Sequence, residues 1–153
     1  MHKKQNLINI QEYSSKVKVK VVNQKRFIWD IIRKKWLILQ PEEFVRQIII
    51  HYLIENGYPQ GKITVERSIQ KSEKVSRYDI LVYDKSLNPF LLVECKAFNE
   101  KIKPNIDIQL GSYNTSIKSP FLCITNGIET RFYLMNEVTS QYINLLELPT
   151  YPI

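Results

Sequence analysis

The sequence predicts an α/β fold, in which a helix, three antiparallel strands, a second helix and a further strand build a mixed central sheet flanked by helices. Two observations predict it. Apolar residues recur at helical spacing after Pro41, and short strand-like runs then follow, interrupted by one more helical segment. This order of elements is typical of an α/β sandwich. A chain of 153 residues has room for one such domain with its own core.

Residues 1–40 are expected to form a β-rich appendage that packs on the domain of residues 41–153. Lysines alternate with valines over Lys16–Val21, which is the period of a half-buried strand. We interpret this segment as an edge strand with solvated lysines, in preference to a DNA-contacting ribbon, because alternation alone defines no binding geometry. Residues 27–39 are ambiguous but fit two strands around a basic turn, residues 33–35, which we expect in solvent, with phosphate contact as the alternative.

The first helix is predicted to run from Pro41 to the pair Asn56-Gly57. Proline suits the first helical position, and the acidic residues Glu42 and Glu43 suit the positive end of the helix dipole. An Asn-Gly pair is typical of a helix end. The apolar residues between these limits recur every three or four positions, which indicates an amphipathic helix of about four turns.

The rest of the chain is predicted to contain strands and one more helix. Three strands follow the first helix, and the second helix covers residues 106–117 before Ser119-Pro120. One strand then ends at Asn126-Gly127, and the C-terminal tail adds further strand. The predicted strands are Ile63–Ile69, Tyr78–Tyr83, Phe90–Ala97, Phe121–Thr125, Phe132–Met135 and Tyr142–Leu146.

The composition favours a polyanionic partner. The net charge is +7 and the pI is about 9.4, which favours nucleic acid or an anionic membrane surface, and we prefer nucleic acid. The apolar runs are too short to cross a bilayer, and no apolar stretch follows the basic N-terminus. Two cysteines, Cys95 and Cys123, form neither a disulfide framework nor a zinc site alone, so we expect a reducing cytoplasm.

Charged residues interrupt two of the predicted strands. Phe90–Val93 is typical of a buried strand, yet Glu94 and Lys96 follow it and, because side chains alternate, share one face. Asp79 similarly precedes the apolar run of the neighbouring strand. Charges this close to the interior of a sheet need partners or a metal ion.

The strand register is expected to bring the two carboxylates together. If Asp84 lies opposite Pro89 across a four-residue turn, the numbers of opposed residues sum to 173, as those of Asp79 and Glu94 do. Their Cβ atoms would then be about 5 Å apart. Two carboxylates at this distance repel each other unless a divalent cation lies between them, and oxygen ligands with room for water suit Mg²⁺ or Mn²⁺.

The chemistry that this arrangement predicts is phosphodiester hydrolysis. Beside a metal ion, the ammonium group of Lys96 can orient a water molecule and stabilise charge that develops on a phosphate. Spacing alone leaves a second interpretation equally open, in which Asp79, Glu94 and Lys96 form a plain ion-pair cluster at the end of a sheet.

These residues resemble the PD-(D/E)XK nuclease signature, with Tyr78 in place of the usual proline. Several segments in order are similar to the N-terminal nuclease domain of type I restriction enzyme R subunits. The resemblance extends over residues 41–127 and implies a restriction-endonuclease-like core. The similar segments are residues 41–47, 77–80 and 92–97, the pair Gln109 and Tyr113, and residues 125–127.

The resemblance implies roles for individual residues. Asp79 and Glu94 would bind Mg²⁺ together with the Cys95 carbonyl, and Lys96 would support the attacking water. A glutamate on the first helix would complete the site. We choose Glu42, which shares a helical face with the sheet-facing apolar residues and has the family's Glu-x-x-x-Arg spacing, and we keep Glu43 as the fallback.

Four further residues are assigned to nucleic-acid binding or support. Arg46 and Arg77 are expected to contact phosphates. Gln109 and Tyr113 are four residues apart, so they share a helical face and are expected to reach the site or the DNA backbone. The alternative for this pair is a satisfied polar contact that caps a buried face.

The leading hypothesis is therefore a Mg²⁺-dependent DNA endonuclease or nuclease subunit, and the alternative is a non-catalytic nucleic-acid-binding module with the same fold. R subunits continue into an ATP-driven motor, whereas these residues contain no Gly-x-x-x-x-Gly-Lys-[Ser/Thr] loop. We expect a stand-alone relative that obtains any motor from another chain. Cutting both strands of a duplex takes two active sites, so a homodimer is compatible with this hypothesis.

Overall fold

The N-terminal part of the chain forms a small sheet of its own. The structure is a computed structural model that describes residues 8–71, 74–103, 114 and 116–153. Strands β1 (Val19–Val22), β2 (Lys25–Asp30) and β3 (Lys35–Ile38) pair antiparallel in that order. β1 is an edge strand with solvated lysines, as predicted, and the two strands expected within residues 27–39 are confirmed. The predicted start at Lys16 and the half-buried alternation are wrong, because Lys16 ends a short 3-10 helix and all four residues of β1 are exposed.

Helix α1 (Pro41–Glu55) has the predicted limits. Pro41 occupies its first turn, and Asn56 and Gly57 end it, with Gly57 at a φ of 93° that favours glycine. The middle of the helix is buried nearly all round, over residues 45–50, so the predicted amphipathic pattern is wrong there. The reason is that N-terminal residues, among them Ile10 and Tyr13, pack on the helix in addition to the central sheet.

The second sheet has six strands, which run in chain order from one edge to the other. Only one neighbouring pair, β6 and β7, is parallel, so the sheet is mixed as predicted. This is a mixed α/β fold. The strands are β4 (Ile63–Lys71), β5 (Lys74–Tyr83), β6 (Pro89–Cys95), β7 (Phe121–Thr125), β8 (Thr130–Asn136) and β9 (Gln141–Leu145).

The register between β5 and β6 is the predicted one next to the charged residues. Ile80 pairs with Val93, and one further step places Asp79 opposite Glu94. The expected turn is wrong by one position, because a bulge shifts the register between Val82 and Tyr83. Asp84 therefore donates its backbone N–H to the Asn88 carbonyl, at 2.9 Å, and does not face Pro89.

The two faces of the central sheet carry separate apolar clusters. Helix α1 covers one face, where Ile80 and Val93 are fully buried. Leu81 and Leu92 lie in the other cluster, as strand alternation requires. The helix predicted over residues 106–117, which would cover this second face, lies largely outside the described residues.

The N-terminal sheet is attached to α1 through a buried turn. Asp30 is fully buried and accepts the backbone N–H groups of Ile32 and Arg33, both at 2.9 Å, and the Arg33 side chain. Burial opposes ionisation, but the hydrogen bonds from Arg33 dominate and lower the pKa of Asp30. The Arg33 guanidinium also forms an ion pair with the Glu43 carboxylate on α1, at 3.4 Å. The expectation that Arg33 is solvated is therefore wrong, whereas Lys34 is exposed.

In the part of the chain that the structure describes, no helix combines the length and the apolar character needed to span a membrane.

Candidate active site

Asp79 lies at the contact between β5, β6 and α1. One carboxylate oxygen accepts the backbone N–H of Cys95, at 2.7 Å, and the other accepts the Arg46 guanidinium, at 3.0 Å. Cys95 is in β6 and Arg46 is in α1, so a single carboxylate connects three elements. Its side chain is 16% exposed, which leaves it partly open to solvent.

Glu94 and Lys96 share one face, as predicted from strand alternation. The Lys96 ammonium lies 3.4 Å from a Glu94 carboxylate oxygen. Burial raises the pKa of Glu94 to about 8 and the carboxylate of Asp79 contributes to the increase, while Lys96 acts in the opposite direction. The cation at Lys96 therefore does not fully compensate for the two adjacent carboxylates.

The two glutamates at the start of α1 have different surroundings. Glu43 is paired with Arg46 and, at 3.4 Å, with Arg33. Glu42 is exposed, and its pKa is raised by partial burial, by Asp79 and by Glu100. Glu42 is thus within electrostatic reach of the site, whereas Glu43 is held by arginines, which supports the choice of Glu42.

Arg46 has a different position from the one expected of a phosphate contact. Its side chain is 2% exposed and it contacts Glu43 and Asp79. The burial of the middle of α1 explains this position, because a guanidinium there has protein on all sides. Arg46 is a residue that positions the Asp79 carboxylate.

The segment at residues 125–127 supports the loop that follows Lys96. The Thr125 carbonyl accepts the backbone N–H of Lys96, at 2.8 Å, and the Asn126 side chain donates to the Glu100 carbonyl, at 2.9 Å. Gly127 has a φ of 85°, and a Cβ there would lie 3.4 Å from Val45 on α1. Sequence reasoning assigned no role to Glu100 or Asn126, since neither belongs to the triad.

Three predicted residues cannot be placed as side chains. Arg77 lies in β5 with its backbone opposite Ser68, two residues before Asp79. Gln109 and Tyr113 lie outside the described residues, so their expected approach to the site stays a prediction.

The donor chemistry at Asp79 and Glu94 fits a hard divalent cation. Two neighbouring carboxyl groups offer oxygen ligands, and a cation between them would offset the burial and the repulsion from Asp79 that raise the pKa of Glu94. Within the described ranges, no group of three His, Cys, Asp or Glu side chains is arranged for a metal ion. The remaining positions would thus belong to a backbone carbonyl, such as that of Cys95, and to water, a mixture that Mg²⁺ accepts.

Two open cavities share Phe44 of α1 and Phe98, in the loop after Lys96, in their linings. One, of about 380 Å³, is lined by Arg26, Pro41 and Phe98, and the other, of about 280 Å³, by Gly127 and Phe98 among others. Phe98 is two residues from Lys96 and is 52% exposed. The space next to the loop after Lys96 therefore borders both α1 and the N-terminal sheet.

Comparison with known families decides the family. The family model for the type I restriction enzyme R protein N terminus matches residues 41–149. The chain belongs to this family. The R protein N-terminal match includes α1, all six strands of the central sheet and every residue predicted for the site.

A solved structure has a similar fold. It is a fragment of a protein assigned as the HsdR subunit of a type I restriction enzyme from Vibrio vulnificus, with a TM-score of 0.52 and 22% sequence identity. The match covers 72% of this chain and 24% of the solved chain, so it spans about a quarter of that fragment's length. No curated protein is a sequence match for the chain.

We expect Glu94→Gln to stabilise the metal-free protein at neutral and alkaline pH. The pKa of Glu94, about 8, lies above the ordinary glutamate value of 4.5. Between these values the folded protein retains a proton that the unfolded chain releases, so stability falls as pH rises. Glutamine has nearly the same shape as glutamate but does not ionise, so the variant avoids this loss of stability. Melting curves in EDTA, from about pH 5 to about pH 9, should show a gain in Tm that grows with pH.

Glu43→Gln is the matched control. Glu43 is paired with two arginines, so its neutralisation should lower Tm. Equal destabilisation by both glutamine variants would mean that Glu94 is an ordinary ion-pair residue.

Proposed function

We propose that this chain is a Mg²⁺-dependent DNA endonuclease, or the nuclease subunit of a restriction system, that hydrolyses phosphodiester bonds. The observation that carries the proposal is the convergence of Asp79, Glu94 and Lys96 at one end of the central sheet, beside α1. Membership of the R protein N-terminal family supports it. A plain ion-pair cluster explains the site less well, because burial and the Asp79 carboxylate raise the pKa of Glu94 to about 8 despite the nearby Lys96.

Different residues would bind the metal ion, orient the attacking water and accept its proton. Asp79 and Glu94, with the Cys95 carbonyl, would hold Mg²⁺, which supplies a Lewis acid and lowers the pKa of water when bound. Lys96 is close enough to Glu94 to place its ammonium beside the reacting phosphate and to orient the attacking water. Glu42, on α1, adds a further carboxylate near Asp79 and is the candidate to accept a proton from that water.

The proposed partners follow from the family. DNA is the proposed substrate, and a motor or specificity subunit would come from another chain. A homodimer is the proposed arrangement for cutting both strands of a duplex, since each chain offers one site.

The alternative, a nucleic-acid-binding module without catalysis, is favoured by one observation. Both carboxylate oxygens of Asp79 already accept hydrogen bonds, one of them from the buried Arg46. An arginine can neutralise a carboxylate in the place of a metal ion. Under this alternative, Asp79 would be a structural partner of α1 and the protein would bind no divalent cation there.

Cleavage of supercoiled plasmid in Mg²⁺ or Mn²⁺ tests the enzyme. We expect Asp79→Asn, whose single amide oxygen can accept from only one of Arg46 and Cys95, to lower the rate by at least about a hundredfold, because the carboxylate charge is lost. Asp84→Asn, in the turn that follows the same strand, is the control and should cut like the wild type. Equal cutting by wild type and Asp79→Asn would remove Asp79 from the site, and Asp79→Ala should then be equally active.

The choice between Glu42 and Glu43 has its own test. We expect Glu42→Gln to slow cleavage by at least about tenfold with little change in Tm, since Glu42 is exposed and close to Asp79. Glu43→Gln should mainly lower Tm and keep its cleavage rate below the melting transition. The reverse pattern would assign the helix carboxylate to Glu43.

Calorimetric titration with Mn²⁺ separates the enzyme from the binding module. We expect saturable binding to the wild type with release of protons, since the pKa of Glu94 is raised in the metal-free protein. Glu94→Ala should abolish the signal. A wild type that binds DNA but gives no saturable Mn²⁺ signal would favour the module.

A further inference from the structure

The positive charge of the chain is concentrated in its N-terminal sheet. Residues 16–38 contain eight of the 22 lysines and arginines and one of the 15 acidic residues. The rest of the chain then has 14 basic and 14 acidic residues, so it carries no net charge. The whole excess of +7 therefore belongs to residues 16–38, which comprise β1, β2, β3, their turns and the three residues before β1.

Most of these cations have no carboxylate partner. The one acid of the segment, Asp30, is buried and paired with Arg33, and Lys16 is paired with Glu55. The other six basic residues of the segment are exposed and form no ion pair with any residue that the structure describes. They are Lys18, Lys20, Lys25, Arg26, Lys34 and Lys35.

One face of the small sheet combines three of these lysines, Lys18, Lys20 and Lys25, with apolar and aromatic residues. Lys20 lies opposite Phe27, and its ammonium is 4.1 Å from the centre of the Trp36 ring. The Trp36 and Trp29 rings are in edge contact at 5.4 Å. The Lys18 carbonyl accepts the Trp29 backbone N–H, which places Lys18 in the same row. Ile28 and Asp30 are fully buried on the opposite face, so this aromatic face is the outer one.

We propose that the outer face of the β1–β3 sheet is a second nucleic-acid contact, which binds the phosphodiester backbone of DNA outside the catalytic site. The choice of DNA as the ligand rests on the proposed function. Three lysines on this face, with three further cations in the turn and on the other face of the same small sheet, match a polyanion, and release of counterions from its phosphates drives such binding. Lys20 covers the Trp36 ring, so phosphate contact is favoured over base stacking on that ring.

The small sheet approaches the candidate active site through Arg26, which lies on the face opposite Lys20. Arg26 lines the cavity of about 380 Å³ together with Pro41, the neighbour of Glu42, and Phe98, two residues after Lys96. A DNA strand that extends from Lys96 past Phe98 would bring its flanking phosphates towards the edge of the basic sheet. This proximity favours DNA over a membrane surface, which would have no reason to reach the acidic site.

The two tryptophans make the test specific for this surface. Trp29 and Trp36 are the only tryptophans of the chain, and both lie in the N-terminal sheet. The full-length protein is titrated in EDTA, which prevents metal-dependent cleavage, with a short fluorescein-labelled duplex and with its single strand. Anisotropy reports total binding, and tryptophan emission reports binding at the sheet.

A matched pair of double variants separates local contact from net charge. Lys18→Gln with Lys20→Gln removes two charges from the sheet, and Lys85→Gln with Lys118→Gln removes two exposed charges elsewhere. We expect the Lys18→Gln, Lys20→Gln variant to weaken binding by at least about tenfold near 0.1 M salt. The negative slope of log affinity against log salt should become shallower by about two. The second should leave both quantities within about twofold of the wild type. Duplex and single strand should both change the tryptophan emission of the wild type.

Three results would overturn the proposal: equal weakening by the two double variants, DNA binding without a change in tryptophan emission, or lysine-dependent binding of phosphatidylserine vesicles without binding of DNA. The proposed nuclease activity is tested separately, by DNA cleavage. Asp79→Asn should keep the emission change and lose cleavage. If the wild type never cuts but binds through Lys18 and Lys20, the nuclease proposal fails and the sheet proposal stands.

Discussion

The buried guanidinium of Arg46 is the contact on which the candidate site depends. It reaches Asp79 on β5 and Glu43 on its own helix, and Glu43 also receives Arg33 from the N-terminal sheet. A charge that is 2% exposed is tolerated only because these carboxylates compensate for it. The same chain of ion pairs therefore fixes the helix, the central sheet and the small sheet relative to one another, and the orientation of Asp79 is a consequence.

Arg46 compensates for the charge of Asp79 but not for that of the neighbouring Glu94. Arg46 compensates for Asp79 from the helix side, while Glu94 faces Lys96 and retains a pKa of about 8. A fold selected for stability alone would not keep a buried carboxyl group in this state, since an apolar residue or glutamine would cost less. Local destabilisation of this kind is typical of sites where function constrains the sequence. The burial of Glu94 beside a second carboxylate, which disfavours its ionisation, is thus the physical argument for chemistry at this end of the sheet.

The sequence predicted the strands, the first helix and the pairing of Asp79 with Glu94, because these depend on local periodicity and on one short turn. The bulge at Val82–Tyr83 was not predictable. The correct pairing of β5 and β6 beside Asp79 gives no information about their pairing next to the turn that connects them. The burial of Arg46 was missed for a different reason. Helical phase shows which face is apolar, but it cannot show that N-terminal residues cover a second face and bury a charge there. Similarly, Glu100 and Asn126 belong to the site only through tertiary contacts, which no spacing in the sequence reveals.

A cluster of carboxylates is a poor place for a polyanion to dock. Glu42, Asp79, Glu94 and Glu100 lie close enough for their charges to affect one another, and each of them repels a phosphate. The family-matched part of the chain begins at residue 41, after the basic segment, and no net charge remains outside residues 16–38 to offset that repulsion. If the acidic site acts on DNA, Mg²⁺ and Lys96 would attract the phosphate at the site, and the concentration of positive charge in residues 16–38 would attract the rest of the DNA. In this arrangement affinity and chemistry are located on different elements, connected by the Arg33–Glu43–Arg46–Asp79 ion pairs.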